Sequence, residues 1–519
     1  MANPNLYLGS WQPLDGARGS AKQDAVKSAN SGGIARLPAH HLVTHGTIFG
    51  MTGSGKTGLL TVMVEEALAA GVPTLMIDIK GDLPNLLLNF PRFDPIDLTS
   101  WVEAAALSEE KTTAQVAAEQ NELRKSSLGA WNIGEAELRA YHDKTEFRVI
   151  TPGSSSGELL HVLSSLERRS DRWDSDPEAA RDALSAAVSL VLRLLGRDPD
   201  PAKSREHVLL AVLAEQRLRR GEPASLAMLL EDLARPPIER IGALNIDAFL
   251  PKSERKSLAA ALNTLLASPT FATWREGATL DIGAWMKPRH GKTPAVILSV
   301  AHLDDEERAL VLGVVLEEVL AWVRSLPGSS RLRALLVFDE VYGFLPPHPA
   351  NPPTKRPIVA LMKQARAFGV GVLVATQNPM DVDYRALGNA GVWCIGRLQT
   401  DADCARVLDA LSATASNGFS TATIGKAIRN LAPRWFVMRD VHARIGTILL
   451  QPRWTMSFLR GPMTRNEIRR ARELSGHEAP ETEEQSGVVA NRSAAHNDRR
   501  KEQSGGTGTA APTRDELPP

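Results

Sequence analysis

Two apolar patterns alternate along the 519 residues. Short apolar runs bounded by Gly, Pro or Asp read as strands buried on both faces: VPTLMID (72–78), FRVITPG (147–153), PAVILSV (294–300), RALLVFD (333–339), VGVLVAT (370–376) and GVWCIGRL (391–398). LVTHGTIFG (42–50) reads as a strand running into a glycine-rich segment, and 57–70 as the helix after it, closed by Gly71 with Pro73 beyond. Apolar positions at three- and four-residue spacing predict further helices over 179–195, 207–221, 253–267, 305–324 and 356–368. Strands alternating with helices predict an α/β fold, a mostly parallel doubly wound sheet that binds ligands at the carboxyl ends of its strands. RWFVMRDV and RIGTILLQP, within 434–452, predict an antiparallel pair that closes it.

The same patterns divide the chain. Residues 1–41 are rich in Gly, Ser, Ala and Lys and predict a loosely ordered lead-in. A first part of the core follows over 42–100, then a mainly helical insertion over 101–290 with one core strand near 147–153, then the second part of the core over 291–472. The apolar stripes of the insertion are assigned to packing. The final segment, 473–519, has no aromatic residue and predicts a disordered tail.

Composition adds mainly exclusions. Lys plus Arg equals Asp plus Glu at 60 each, so the molecule as a whole has no charge bias toward nucleic acid or an anionic membrane. No apolar run reaches the ~18 residues of a membrane span, so no membrane association is expected. The only two cysteines, Cys394 and Cys404, lack metal or disulfide spacing, and a reducing cytoplasm is the expected compartment.

Chemistry concentrates at three strand ends. Gly50-Met51-Thr52-Gly53-Ser54-Gly55-Lys56-Thr57 matches the phosphate-binding loop at every fixed position, between a strand and a helix as the mechanism requires, and Gly58 completes the nucleotide-binding set. Its glycines let the backbone amides converge on phosphates, aided by the following helix N-terminus. Lys56 would neutralise β- and γ-phosphate oxygens of ATP, and the Thr57 hydroxyl would bind Mg²⁺. LLVFDE ends a second strand in Asp339, a partner for Mg²⁺ through water, and Glu340, a general base for the attacking water. VLVATQ ends a third in Gln377, which can orient that water because an amide donates and accepts at once.

With these motifs, the chain resembles the HerA/FtsK superfamily of RecA-like P-loop ATPases, and most closely its HerA-like helicase branch. The resemblance covers 42–100 and about 290–465 and is strongest in KQARAFGVGVLVATQNPMDVDYRALGNAGVWCIGRL (363–398). IDIKGDL (77–83) and FLRGPMTR (458–465) also resemble segments of HerA-like proteins, and Asp78 stands where that family has a polar residue facing the nucleotide. The resemblance implies a ring hexamer with each ATP site completed by a neighbour's arginine, for which Arg366 is the first candidate and Arg397 the second. DNA as the track is implied by resemblance only. In one departure, residues 1–41 are too few to form the N-terminal β-barrel of the DNA-repair helicases.

Two functions are therefore expected in competition. One is an oligomeric, ATP-hydrolysing DNA translocase or helicase-like motor. The other is an ATP-controlled assembly switch that recruits a protein partner through the helical insertion.

Overall fold

Buried strands need a partner on each edge and cover on each face, and the apolar runs obtain both. In the computed structural model, which describes residues 4–14, 32–413, 421–443 and 446–474, eleven strands form one sheet. In chain order they are β1 (Asn5–Pro13), β2 (Gly33–Pro38), β3 (Gly46–Phe49), β4 (Thr74–Asp78), β5 (Thr145–Ile150), β6 (Thr293–Ser299), β7 (Ala334–Phe338), β8 (Val370–Thr376), β9 (Val392–Ile395), β10 (Phe436–Asp440) and β11 (Thr447–Pro452). Across the sheet they run β2-β1-β11-β10-β9-β3-β8-β7-β4-β6-β5. All pairings from β9 through β5 are parallel, whereas β10, β11, β1 and β2 join antiparallel. The mostly parallel α/β sheet and its antiparallel closing pair are as the sequence predicts.

Alternation along each strand sends side chains to two cores. On β4, Leu75 and Ile77 enter one core and Met76 the other; on β8, Val372 and Val374 oppose Leu373 and Ala375. Helix α1 (Lys56–Ala69) covers the second face with Leu59, Val62 and Met63, and Leu128, Leu138 and Tyr141 of the insertion join it there. On the first face Leu184, Val188 and Val191 of the insertion pack with Val311, Val315 and Val319. The insertion is thus distributed over both faces, within a compact unit that spans Met1–His477.

The N-terminal lead-in corrects the sequence reading. Residues 5–13 and 33–38, expected to be loosely ordered, are the strands β1 and β2. Leu6, Leu8 and Leu37 are buried, and β1 pairs with β11. At Gly9 (φ +142°) a Cβ would stand 2.1 Å from the carbonyl oxygen of Gln451, so only glycine permits this approach. The strands escaped notice because their apolar alternation is short and Gly- and Ser-rich. The tail predicted to be disordered lies, from residue 475 onward, outside the described residues; Glu473 and Leu474 end a helix, Arg465–Leu474.

One ion-pair network ties these outer strands to α1. Arg453, just past β11 and fully buried, donates from Nη1 to Glu65 Oε2 and from Nη2 to Glu66 Oε1, each at 2.9 Å. Glu65 also accepts from the backbone amides of Met456 and Ser457, and Glu66 from that of Tyr7 in β1. Removing one member of a buried pair leaves the other's charge uncompensated, at about 3–5 kcal/mol. Arg453→Met should therefore lower unfolding stability by about that amount in urea titration; a loss under about 1 kcal/mol would show that the network is dispensable.

Candidate nucleotide site

The glycine loop hangs between strand ends. Gly50 N donates to the Thr376 carbonyl at the end of β8 (3.3 Å), and Met51 N to the Arg397 carbonyl beyond β9 (2.9 Å). Gly53 and Gly55 take φ of +78° and +92°, a region glycine enters without strain, and α1 starts at Lys56. A Cβ on Gly55 would also meet Arg434 atoms at 3.0 and 3.1 Å.

Lys56 is 4% exposed, and its Nζ donates to the backbone oxygen of Asp339 at 2.9 Å. The same Nζ lies 3.8 Å from Asp339 Oδ1 and 3.8 Å from Glu340 Oε2. Burial lowers its ammonium pKa, and the two carboxylates only partly restore it. Burial likewise pushes the Asp339 carboxyl up, against the pull of Lys56 and Lys80. Both Asp339 oxygens are buried without a hydrogen-bond partner among the described residues, an arrangement suited to a hydrated divalent cation.

Glu340 differs. Burial raises its carboxyl, but the ammonium groups of Lys56 and Lys80 and a hydrogen bond from Thr376 outweigh it, so the pKa falls below the usual carboxylate range. Lys80 Nζ donates to Glu340 Oε2 at 2.9 Å. Gln377 N donates to Glu340 Oε1 at 3.2 Å, and Gln377 Oε1 accepts from Thr52 Oγ1 in the loop at 2.9 Å. Gln377 thus bridges loop and acid, which follows from the sheet order: β8 lies between β3 and β7.

With this geometry in place, comparisons with known proteins place the segment. The model of the family described as "Helicase HerA-like C-terminal" matches residues 24–89. Residues 24–89, which include the glycine loop, are thus similar to that family. That match bears out the resemblance to the HerA/FtsK superfamily. No curated protein matches the sequence. Among solved structures the chain is similar to VirB4 of Thermoanaerobacter pseudethanolicus (14% identity, TM-score 0.46, covering 82% of this chain and 94% of that one). It is also similar to the plasmid coupling protein TrwB in complex with ADP and Mg²⁺ (14% identity, TM-score 0.42, covering 88% and 96%). Among the described residues no helix is long and apolar enough to cross a membrane.

The HerA-like segment and the strand ends bring Gly50–Gly58, Asp339, Glu340 and Gln377 together. Three other candidates are placed differently. Asp78 is fully buried, with Oδ1 accepting from the amides of Gly81, Asp82 and Leu83 and Oδ2 from Ser299 Oγ. Burial raises its carboxyl to about 6. This corrects the expectation that Asp78 faces the nucleotide: it shapes the turn that carries Lys80. Arg366 is exposed in the 3-10 turn Ala365–Phe368, at the amino end of β8 and so at the opposite edge of the sheet from the loop; seven strand residues separate the two, about 20 Å. Arg397 is exposed at the loop's own end.

Two contributors were not singled out by the sequence reading. Lys80 stands inside IDIKGDL, a segment noted for its resemblance to HerA-like proteins and for Asp78, and Arg434 donates its amide to the Ser54 carbonyl (2.8 Å) from a left-handed conformation (φ +64°). A lysine one turn beyond an apolar strand end was a usable signal; Arg434 had none.

Lys80→Met removes a cation that holds Glu340 ionised. The Glu340 pKa should rise, so the base is protonated at higher pH. The acid limb of the pH profile of kcat/KM for ATP hydrolysis should move upward in pH; an unmoved limb would show that Lys80 does not set the charge of Glu340.

Proposed function

We propose that this chain is an ATP-hydrolysing RecA-like motor subunit, assembled as a ring hexamer as the family resemblance implies, with DNA as its track. The observation that carries the ATPase reading is the buried Lys56, Asp339 and Glu340, with the half-buried Gln377, around the glycine loop, both Asp339 oxygens lacking a hydrogen-bond partner among the described residues. Lys56 rests on Asp339, which would hold the metal, and on Glu340, a pairing it can exchange for phosphate oxygens.

Thr57 and Asp339 are the residues that would hold Mg²⁺, the latter through water. When bound with ATP, the ion supplies charge neutralisation across the β- and γ-phosphates. Lys56 and the loop amides bind the phosphates. Gln377 orients a water in line with the γ-phosphorus, and Glu340 takes its proton as the oxygen–phosphorus bond forms and the bond to the β–γ bridging oxygen breaks, leaving ADP and inorganic phosphate. A neighbour's arginine would stabilise the charge that develops. Arg366, distant from its own loop, suits action in trans, whereas Arg397 stands where it could also act on its own site.

A second reading, an ATP-controlled assembly switch working through the insertion, draws support from the proline-rich loop 344–357. Its two basic residues are engaged within the chain: Lys355 Nζ donates to the Ala350 carbonyl (3.1 Å) and lies 3.4 Å from Asp383, and Arg356 pairs with Asp182 and Glu317. Stimulation of ATPase by duplex or single-stranded DNA is expected of the motor alone.

The ATPase reading predicts that Lys56→Ala loses ATP binding, while Glu340→Gln binds ATP but hydrolyses it about 10²–10⁴-fold more slowly. Wild-type affinity in the first, or undiminished phosphate release in the second, would overturn it. Ring assembly predicts complementation: mixing Arg366→Ala or Arg397→Ala subunits with Glu340→Gln subunits should restore ATPase above either alone, because some interfaces regain both groups. No recovery, with a monomeric mass in ATP, would favour the switch.

A further inference from the structure

The glycine loop and its acids occupy the carboxyl edge of the sheet, and the amino edge gathers cations. Three short segments enter strands there: 142–145 into β5, 286–293 into β6 and 331–334 into β7. Together they hold six Lys or Arg residues (Lys144, Lys287, Arg289, Lys292, Arg331 and Arg333) and one carboxylate, Asp143. In a chain whose charges balance at 60 each, this is a local segregation.

Strand register sets the spacing of these cations. Thr145 of β5 pairs with Thr293 of β6, so Lys144, which ends a second helix, α2 (Glu135–Lys144), and Lys292 flank one register pair, about 5 Å apart along the edge. β4 lies between β6 and β7, which puts Arg333 about 10 Å further along. The segment before β6 is a tight turn. Lys292 N donates to the Arg289 carbonyl at 2.8 Å, and His290 and Gly291 between them take φ of +51° and +75°, positive at both central positions as in a type I′ turn. Trp285 and Met286, buried in the first core, hold it on one side, and Thr293 opens β6 on the other.

These charges face solvent without partners. Lys144, Lys287, Arg289, Arg331 and Arg333 are exposed and Lys292 is half-buried. None of the six side chains makes a hydrogen bond or ion pair among the described residues, whereas Arg148, Arg172 and Arg217 are each paired with a carboxylate of the chain. A cation with no partner inside the chain is available to one outside it.

We propose that this row on the amino edge is a contact surface for the phosphate backbone of duplex DNA, separate from the nucleotide site. The inference rests on the reading of DNA as the track and adds the surface that meets it. B-DNA carries one charge per about 1.7 Å of its axis, so a rigid row about 15 Å long faces several phosphates at once, which a compact anion cannot match. The three segments contain no Phe, Tyr or Trp on which unstacked bases could lie. The contact therefore reads backbone rather than sequence, and favours duplex over single strands.

The test is fluorescence anisotropy of a labelled duplex with the full chain, Mg²⁺ and a non-hydrolysable ATP analogue across a salt series. Each lost phosphate contact removes about 0.9 from the slope of log affinity against log salt, so the triple variant Lys287→Ala, Arg289→Ala, Lys292→Ala should flatten the slope by about two to three. Its affinity at about 0.1 M salt should fall tenfold or more. Lys144→Glu, on the neighbouring strand, should weaken binding as well. Both variants should keep the basal ATPase measured without DNA and the assembled mass of the wild type. Unchanged affinity and slope, tighter binding of a single strand than of the duplex, or loss of assembly in the variants would overturn this surface while leaving the motor reading standing. A wild-type chain that binds no DNA even at low salt would instead remove DNA as the track.

Discussion

An ammonium group buried among strand ends is costly unless paired, and the pairing of Lys56 constrains everything around it. Its Nζ needs the backbone oxygen of Asp339 and the two carboxylates that follow β7, so loop and acidic strand end must converge. The sheet accomplishes this with β8 inserted between β3 and β7, which sets Gln377 between Thr52 and Glu340. A parallel sheet delivers all these groups to one edge because every strand ends there. The same arrangement separates the fates of two neighbouring acids. Asp339, sealed in and without hydrogen-bond partners, is raised; Glu340, beside two lysines, is lowered and stays ionised.

What holds the loop still is a second buried charge. Glu65 and Glu66 on α1 meet Arg453, and through Tyr7 the network extends to the first strand of the chain. The helix that presents Lys56 is thus clamped to the antiparallel edge of the sheet and to the segment carrying Trp454. IDIKGDL and FLRGPMTR, far apart in sequence, also touch: Met463 N donates to the Gly81 carbonyl, and Asn85, two residues beyond the first segment, donates to that of Gly461. The strand β1, the segment after β11 and the core motifs therefore support one site.

Much of this was legible in sequence, for physical reasons that differ by feature. Strands such as 294–300 and 370–376 are buried on both faces, so they read as continuous apolar runs, and the loop could be recognised because its chemistry demands fixed spacing. Asp78 misled because a polar residue at a strand end looks the same whether it faces a ligand or caps a turn with three amides. The strands β1 and β2 were missed because each is short and the pairing that holds them, β1 with β11 and β2 with β1, is made with strands that only the fold brings alongside. Long-range partners such as Arg434 and Arg453 have no local signature; only the fold brings them to α1.

In the proposed function, the pairing of Lys56 with Asp339 and Glu340 holds the place of phosphates. The structure of the intact chain with Mg²⁺ and a non-hydrolysable ATP analogue tests it most directly. Lys56 Nζ is expected to leave the Asp339 backbone oxygen for the β- and γ-phosphate oxygens. Lys56 still seated on Asp339, with the analogue bound elsewhere or not at all, would contradict it.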